Sequence, residues 1–331
     1  RSINKTVLKD AQILLVRSVT QVDHNLLHDT AIKFVASATS GINHIDLTCL
    51  KNQGITFAYA AGSNANSVAQ YVVAGICYWS LQQQKPLDQL TIGIVGYGNV
   101  GKKVQQLCSK LHIKSIINDP PLAAKTTSKH QRDFHSLKDT LACDIISLHV
   151  PLVLTGQYAT KYLINTPQIQ QLQSDTLFIN TSRGEVVNEA ALLSRKLDYN
   201  DISIILDVWN NEPDINLQML AQTLIATPHI AGYSLDGKIS GTQMIYQACC
   251  QFLNVKARWS ASNMDCSITQ PYDCNQTKQQ DIRLAILAAY NIASDSTQLK
   301  KLLTSPTVAT SKYFDDLRKH YPTRREWEIL G

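Results

Sequence analysis

The stretch Thr91–Gly101, TIGIVGYGNVG, decides the fold, because an apolar run leads directly into a GxGxxG motif that opens a helical pattern. In this motif Gly96 permits a tight turn, Gly98 lets the backbone approach a pyrophosphate, and Gly101 lets helix and strand pack closely. The N–H groups and the dipole at the start of the helix would stabilise phosphate groups. The stretch therefore predicts a dinucleotide-binding unit.

A carboxylate follows the next predicted strand. Asp119 lies 18 positions after Gly101, where it would accept hydrogen bonds from ribose hydroxyls and repel a 2′-phosphate. This position favours NAD over NADP as the cofactor. The alternative, in which Asp119 is only a turn residue before two prolines, stays open.

The chain on both sides of the motif alternates strand-like and helix-like patterns, which predicts parallel sheets. Six strands are predicted in the dinucleotide-binding part, at Thr91–Val95, Lys114–Asn118, Asp144–His149, Thr176–Asn180, Ile202–Leu206 and Thr223–Ala226, and three before it, at Gln12–Val16, Lys33–Ala38 and Thr56–Tyr59. Helices are predicted near Asp23–His28 and Ile45–Gln53 and over Asn66–Gln84 and Leu235–Leu253. The last of these would return the chain to the first domain. We expect two parallel-sheet domains joined by two crossings, then a polar linker at Arg258–Gln280 and a small helical unit at Asp281–Leu330.

Composition and charge argue against several classes of function. With 331 residues, 44% of them hydrophobic and 17% charged, the chain matches a soluble globular protein of more than one domain. The net charge of +5 comes from scattered Lys and Arg, which favours an anionic small-molecule substrate over nucleic acid. The eight cysteines include no CxxC pair and no zinc-ligand spacing, so we expect reduced thiols, no metal site and a cytoplasmic location. No apolar run is long enough to cross a membrane.

Three candidate catalytic residues follow predicted strands of the dinucleotide-binding part. His229 is suited to remove a hydroxyl proton, and Glu212 would bind its other ring nitrogen and fix the tautomer. Arg183 would bind a substrate carboxylate bidentately, and Asp207 could orient the nicotinamide carboxamide. Each could instead be structural, with Arg183 as a surface ion pair. Because the carboxyl ends of parallel strands converge, their joint occurrence favours hydride transfer between a secondary alcohol and NAD.

Four motifs in order, GYGNVG, NTSRGEVVNEAAL, DVWNNEP and TPHIAG, resemble the D-isomer-specific 2-hydroxyacid dehydrogenases over nearly all of Ala11–Leu253. The resemblance implies two Rossmann-like, doubly wound domains with a cleft between them, NAD on the second domain, and a catalytic set of Arg183, Glu212 and His229. It implies substrate contacts at Ser18, Thr39 and Tyr233, and cofactor contacts at Gly96, Gly98, Asn99, Val100, Gly101, Asp119, Val150, Thr181, Ser182, Asp207 and Gly232.

Further runs resemble a group within this family that oxidises a phosphorylated 2-hydroxy acid, 4-phospho-D-erythronate. They are LLVRSVTQVD, ASATSGINHID, INDPP, AGYSLDGKISGT and FDDLRKHYPTRREW. The resemblance implies a homodimer, with a flavodoxin-like substrate-binding domain at 1–65 and 234–256, an NAD-binding domain at 66–233, and a linker with an α+β dimerisation domain at 257–331. A phosphorylated acid would explain the hydroxyl and cationic side chains of Arg17, Ser18, Thr39, Tyr233 and Lys238.

The chain departs from this group at few places. The group's first strand and the end of its C-terminal domain have no counterpart in the sequence, so we expect a truncated chain. Val150 stands where a threonine is usual near the cofactor, and Gln70 replaces a glutamate. Alternative functions are another D-2-hydroxyacid dehydrogenase, such as a phosphoglycerate dehydrogenase, and a non-catalytic NAD-sensing interaction protein. Nucleic-acid binding by the basic C-terminal cluster, Tyr321–Trp327, is less favoured, because that cluster better suits a partner subunit or a substrate phosphate.

Overall fold

The computed structural model describes residues 3–126, 133–260, 272–274, 281–304 and 309–329. It divides into a first unit, Arg1–Ala65 with Ser234–Gln270, and a second unit, Asn66–Tyr233 with Pro271–Gly331. Most of the predicted linker Arg258–Gln280 lies outside the described residues.

The first unit is built on three parallel strands in the order β1-β2-β3. The strands are β1 (Ile13–Val16), β2 (Phe34–Ser37) and β3 (Thr56–Tyr59), and the helices are α1 (Lys5–Leu8), α2 (His24–Leu27), α3 (Leu47–Asn52) and, from later in the chain, α11 (Leu235–Phe252). Every residue of β2 is buried, because the sheet is covered on both faces. On one face α11 packs against it, with the Phe252 and Phe34 rings stacked 4.8 Å apart.

The second unit contains a six-stranded parallel sheet in the order β5-β4-β6-β7-β8-β9. The strands are β4 (Thr91–Val95), β5 (Lys114–Asn118), β6 (Ile145–Leu148), β7 (Leu177–Asn180), β8 (Ser203–Leu206) and β9 (Ile225–Ala226). The strand order reverses between β4 and β6, and ligands of such sheets bind outside the carboxyl ends at this switch point. The predicted α/β fold with parallel sheets is confirmed, with strand boundaries within two residues of those expected.

Helices flank this sheet. They are α4 (Ala65–Gln82), α5 (Asn99–Lys110), α6 (Pro120–Ala123), α7 (Leu137–Thr140), α8 (Thr166–Gln170), α9 (Glu189–Tyr199) and α10 (Leu217–Gln222). In α4 the apolar residues, including Val72, Val73 and Ile76, are fully buried and share a core with Ile92 and Ile94 of β4. A helix that is apolar on most of its circumference needs such a buried position.

The C-terminal segments pack on the second unit. They comprise α12 (Ile282–Ala289), α13 (Ile292–Lys300), α14 (Thr310–Lys319) and a two-stranded parallel pair, β10 (Tyr272–Asp273) with β11 (Trp327–Glu328). Ile286 and Ile292 lie in the core cluster of α4, and Phe314 lies in the cluster that covers the other face of the sheet. The described part of the expected third domain thus extends the second unit's cores, and its role in dimerisation stays a prediction.

No helix in the described part of the chain has the length and apolarity needed to cross a membrane. The same residues contain no cluster of His, Cys, Asp and Glu side chains arranged to hold a metal ion. The described cysteines, which exclude Cys266, are free thiols, and all but Cys249 are buried.

Candidate active site

The glycine loop between β4 and α5 has the shape that a dinucleotide requires. Gly96 has a φ of 94°, and a Cβ on Gly101 would lie 2.1 Å from the Gly96 carbonyl oxygen, so strand and helix pack too closely for a side chain. A Cβ on Gly98 would meet nothing within 4 Å. Gly98 is also the N-cap of α5 and makes no side-chain cap hydrogen bond. Open space and N–H groups at a helix start fit a pyrophosphate.

Asp119 ties this loop to the end of β5. One carboxylate oxygen accepts from the Tyr97 N–H at 2.7 Å, and the other accepts from the Leu122 N–H at 2.9 Å, which caps α6. A carboxylate has about four lone-pair positions, so these two bonds leave capacity for ribose hydroxyls. Both interpretations of Asp119 are therefore compatible with its geometry, and the ribose contact stays a prediction.

Asn180, which the sequence did not single out, shapes the turn after β7. Its Oδ1 accepts from the Ser182 N–H at 3.0 Å and from the Ser182 hydroxyl at 2.7 Å, and its Nδ2 donates to the Arg183 carbonyl at 2.9 Å. The only signal was a polar residue ending an apolar strand, which once buried needs partners. The Ser182 hydroxyl proton is already used, so in a cofactor contact the Ser182 hydroxyl oxygen would be the acceptor.

His149 lies at the carboxyl end of β6, beside the predicted cofactor residues Val150 and Thr181. Its Nε2 is 2.9 Å from the Ser147 hydroxyl and its Nδ1 is 3.4 Å from the Thr181 hydroxyl. Burial lowers the pKa of His149 to about 3, so the ring is neutral near pH 7 and adds no charge to the site.

Arg183 is held close to the loop after β8. A Cβ on Gly184 would lie 2.0 Å from the Trp209 carbonyl oxygen, so only glycine allows the two loops to approach. Burial lowers the pKa of Arg183, whereas the negative charges of Glu212 and Glu185 raise it. This coupling places the Arg183 guanidinium within electrostatic reach of Glu212.

His229 and Glu212 form a hydrogen-bonded pair. His229 Nδ1 is 2.7 Å from Glu212 Oε2, and Glu212 Oε1 accepts from the Trp209 N–H at 2.8 Å. Burial would raise the pKa of Glu212, but the hydrogen bond and charge of His229, with the Trp209 N–H, outweigh it and lower that pKa. Glu212 is therefore ionised near neutral pH and requires a proton on His229 Nδ1, which leaves Nε2 as the basic atom.

Asp207 fixes the backbone that carries His229. It is 1% exposed, and its Oδ1 accepts from the Thr227 hydroxyl and the Ile230 N–H, both at 2.7 Å. Its Oδ2 accepts from the Ala231 N–H at 3.0 Å. Burial raises the pKa of Asp207, while the charge of His229 and these hydrogen bonds lower it. Asp207 thus organises the turn around His229, and its contact with the nicotinamide stays a prediction.

The remaining predicted cofactor residues lie at the same end of the sheet. Asn99 and Val100 open α5, and Gly232 lies in the turn after His229. The structure thus brings Arg183, Glu212 and His229 together at the carboxyl ends of β7, β8 and β9.

Two of the three predicted substrate residues belong to the first unit. Ser18 is exposed in the turn after β1. The Thr39 hydroxyl donates to the Gly41 carbonyl at 2.9 Å and lies 2.7 Å from the Ser37 hydroxyl, which lies 2.9 Å from His44 Nε2. Since the single Thr39 proton goes to Gly41, Ser37 donates to Thr39 and His44 Nε2 donates to Ser37. The third residue, Tyr233, belongs to the second unit and follows Gly232.

Comparison with known proteins agrees with this geometry. Residues 55–231 match the family model described as D-isomer specific 2-hydroxyacid dehydrogenase, NAD binding domain, and residues 267–331 match a domain of unknown function. Proteins named erythronate-4-phosphate dehydrogenase are similar over the whole chain. The protein from Hahella chejuensis is 39% identical, with 100% of this chain and 86% of the relative covered. The one from Colwellia psychrerythraea is 40% identical, with 100% and 85% covered.

Solved structures show the same fold. D-lactate dehydrogenase from Aquifex aeolicus, complexed with NAD and lactic acid, has a TM-score of 0.62 at 24% identity and covers 76% of this chain and 86% of its own. The NAD-bound 3-phosphoglycerate dehydrogenase of Entamoeba histolytica has a TM-score of 0.62 at 25% identity, with 75% and 82% covered. With the matched family model and the full-length relatives, these findings show that the chain belongs to the D-isomer specific 2-hydroxyacid dehydrogenase family.

Proposed function

We propose that this chain is an NAD-dependent dehydrogenase that oxidises 4-phospho-D-erythronate to (R)-3-hydroxy-2-oxo-4-phosphooxybutanoate, a step in pyridoxal 5′-phosphate synthesis. The observation that carries the chemistry is the 2.7 Å hydrogen bond between Glu212 and His229, with the Arg183 guanidinium within electrostatic reach of Glu212. The substrate follows from the full-length relatives named for it.

The three catalytic residues have different roles: His229 accepts a proton, Glu212 is the anion that stabilises the resulting imidazolium, and Arg183 is the cation that binds the substrate. His229 Nε2 takes the proton of the substrate 2-hydroxyl, while Glu212 holds the Nδ1 proton and stabilises the imidazolium that forms. Arg183 binds the substrate carboxylate and stabilises charge on the oxygen that becomes a carbonyl. NAD, bound at the glycine loop by Gly96, Gly98 and Asp119, supplies the hydride acceptor.

Two cations in the first unit favour a doubly anionic substrate. Burial and, to a smaller extent, the positive charge of Arg17 lower the pKa of Lys238, so the two cations lie within electrostatic reach of each other. A bound phosphate relieves the repulsion between them. We propose that Arg17 and Lys238, with Ser18, Thr39 and Tyr233, contact the substrate.

The assembly and the location are further parts of this proposal. We propose a cytoplasmic homodimer in which residues 257–331 supply much of the contact, and the buried free thiols fit a reducing compartment. The chain has a mass of 36.8 kDa. Sedimentation equilibrium supports the dimer with twice this mass and contradicts it with a single-chain mass at micromolar concentration.

The substrate is tested by measuring NADH formation from 4-phospho-D-erythronate and 3-phosphoglycerate side by side. We expect turnover of the first with a kcat/KM higher by about 10-fold or more. 3-Phosphoglycerate carries the same two charged groups but is one carbon shorter, so its carboxylate and phosphate cannot both reach partners placed for the longer acid, and one lost charged contact costs about this factor. Turnover of 3-phosphoglycerate alone would contradict the substrate and keep the enzyme class. NAD binding without turnover of either would favour a sensor.

A further inference from the structure

We propose that Arg324, from the C-terminal segment, is a positioning residue that holds the turn carrying His229 in its catalytic geometry. The inference rests on the proposed function for its kinetic consequence, but its structural part stands on contacts within the second unit. Arg324 was part of the basic cluster that the sequence assigned to a partner subunit or a phosphate. Its side chain is instead directed to two backbone carbonyls of its own chain.

The guanidinium of Arg324 donates two hydrogen bonds to the turn after His229. Its Nη2 donates to the Ala231 carbonyl at 2.8 Å and its Nε donates to the Tyr233 carbonyl at 3.1 Å. The residue is 8% exposed, and its guanidinium carbon lies 4.2 Å from the centre of the Tyr290 ring. A planar fork can bind two carbonyls two residues apart in a fixed orientation, which a single ammonium group does not reproduce.

The same turn is held from its other side by Asp207, which accepts from the N–H groups of Ile230 and Ala231. Ala231 is thus fixed at its N–H by an anion and at its carbonyl by a cation. Since charge-assisted hydrogen bonds are stronger than neutral ones, the two groups together leave the His229 backbone little freedom.

The segment around Arg324 is anchored independently of the turn. The Glu326 carboxylate accepts from Asn66 Nδ2 and from the Ser67 hydroxyl, both at 2.6 Å. Gln70 pairs with the backbone of Trp327, accepting from its N–H at 3.1 Å and donating to its carbonyl at 2.7 Å. These bonds attach the C-terminal segment to α4, so the backbone that carries Arg324 is held in place independently of the His229 turn.

The test compares Arg324→Met and Arg324→Lys with Lys300→Met as a matched control. Lys300 is also a cation on backbone carbonyls, since its Nζ donates to the Thr223 carbonyl at 2.5 Å, before β9. We measure kcat, KM, NAD affinity and the hydrogen exchange of the Ile230 and Ala231 amides. For Arg324→Met we expect kcat to fall about 10²-fold, as for a misplacement of about 1 Å, with NAD affinity within about threefold, faster exchange, and partial recovery with added guanidinium.

The control separates positioning from stability. Lys300→Met is expected to unfold more readily but keep kcat, and Arg324→Lys is expected to fold and show an intermediate kcat. Wild-type kcat and exchange in Arg324→Lys and Arg324→Met would overturn the proposal, as would an equal loss of kcat in Lys300→Met. If Arg324→Met does not fold, Arg324→Lys alone decides. A wild type that does not oxidise 4-phospho-D-erythronate contradicts the proposed function, whereas exchange at Ile230 and Ala231 still tests the role of Arg324.

Discussion

Replacing Gly184 with alanine should separate the catalytic geometry from cofactor binding. The added Cβ would lie 2.0 Å from the Trp209 carbonyl oxygen and 2.6 Å from the Asn210 nitrogen. Ordinary contact begins at 3.4 Å, so the two loops must separate by about 3.4 − 2.0 = 1.4 Å. Because the opposing atoms are backbone, no side-chain rotation relieves the overlap.

Separating the loops after β7 and β8 would also move the catalytic residues that these loops carry. Arg183 precedes Gly184, and the Trp209 N–H holds Glu212, so the distance between the guanidinium and the His229 pair would change. A misplacement of about 1 Å costs on the order of 10²-fold in rate. Overpacking of this kind destabilises by about 1–3 kcal/mol. We therefore expect kcat to fall about 100-fold in a protein that still folds.

The assay is NADH formation followed by absorbance, with urea unfolding and NAD affinity measured on the same preparation. Gly98→Ala is the matched control, because its Cβ meets no protein atom within 4 Å. It should leave stability unchanged within about 0.5–1 kcal/mol but weaken NAD binding, whereas Gly184→Ala should do the reverse. Wild-type kcat and stability in Gly184→Ala would refute the close approach of the two loops.

Three other substitutions test single contacts. Glu212→Gln removes the charge that stabilises the His229 imidazolium, so kcat should fall by about 10²–10⁴-fold at unchanged NAD affinity; equal kcat would contradict the pairing. His149 takes up a proton near pH 6.5 in the unfolded chain but only near pH 3 in the folded chain. The free energy of unfolding is therefore at its full value above pH 6.5 and is lower by about 2 kcal/mol at pH 5. In urea titrations His149→Asn should lose this pH dependence of the unfolding free energy, and an unchanged pH dependence would contradict the burial of a neutral His149. Gln70→Glu leaves the Trp327 carbonyl without a donor and should cost about 1–3 kcal/mol, a loss that shrinks at acidic pH because a protonated acid can donate; a stability equal to wild type in urea would count against the Gln70 bond.

The strands were predictable because their apolar runs end at glycines, prolines and polar turns. Thr91–Val95 and Lys114–Asn118 were predicted with their observed ends, because Gly96 follows the first strand and Asp119 with two prolines follows the second, and such residues end a strand pattern. The short strand Ile225–Ala226 was predicted two residues too long at its start, because Thr223 and Leu224 are apolar or β-branched but lie before the ladder begins.

The catalytic residues were predictable as a set, but the contacts that position them were not. Gly184 acts through the close approach of two loops, which no local pattern encodes, and the only local signal of Asn180 was a polar residue at the end of an apolar strand. Arg324 lies 93 residues beyond Ala231, and its partner is a backbone carbonyl, which every residue carries. Such pairings depend on tertiary packing, so sequence alone assigned Arg324 to a partner or a phosphate instead of to this turn.

The most direct test of the proposed activity measures NADH formation from 4-phospho-D-erythronate by the wild type and by His229→Ala, with NAD affinity measured for both. If His229 Nε2 takes the hydroxyl proton, the wild type forms NADH, and the variant loses about 10²–10⁴-fold of kcat while binding NAD equally well. Turnover by the variant at the wild-type rate would contradict the assignment of His229 as the base, and NAD binding without turnover by the wild type would contradict the activity itself.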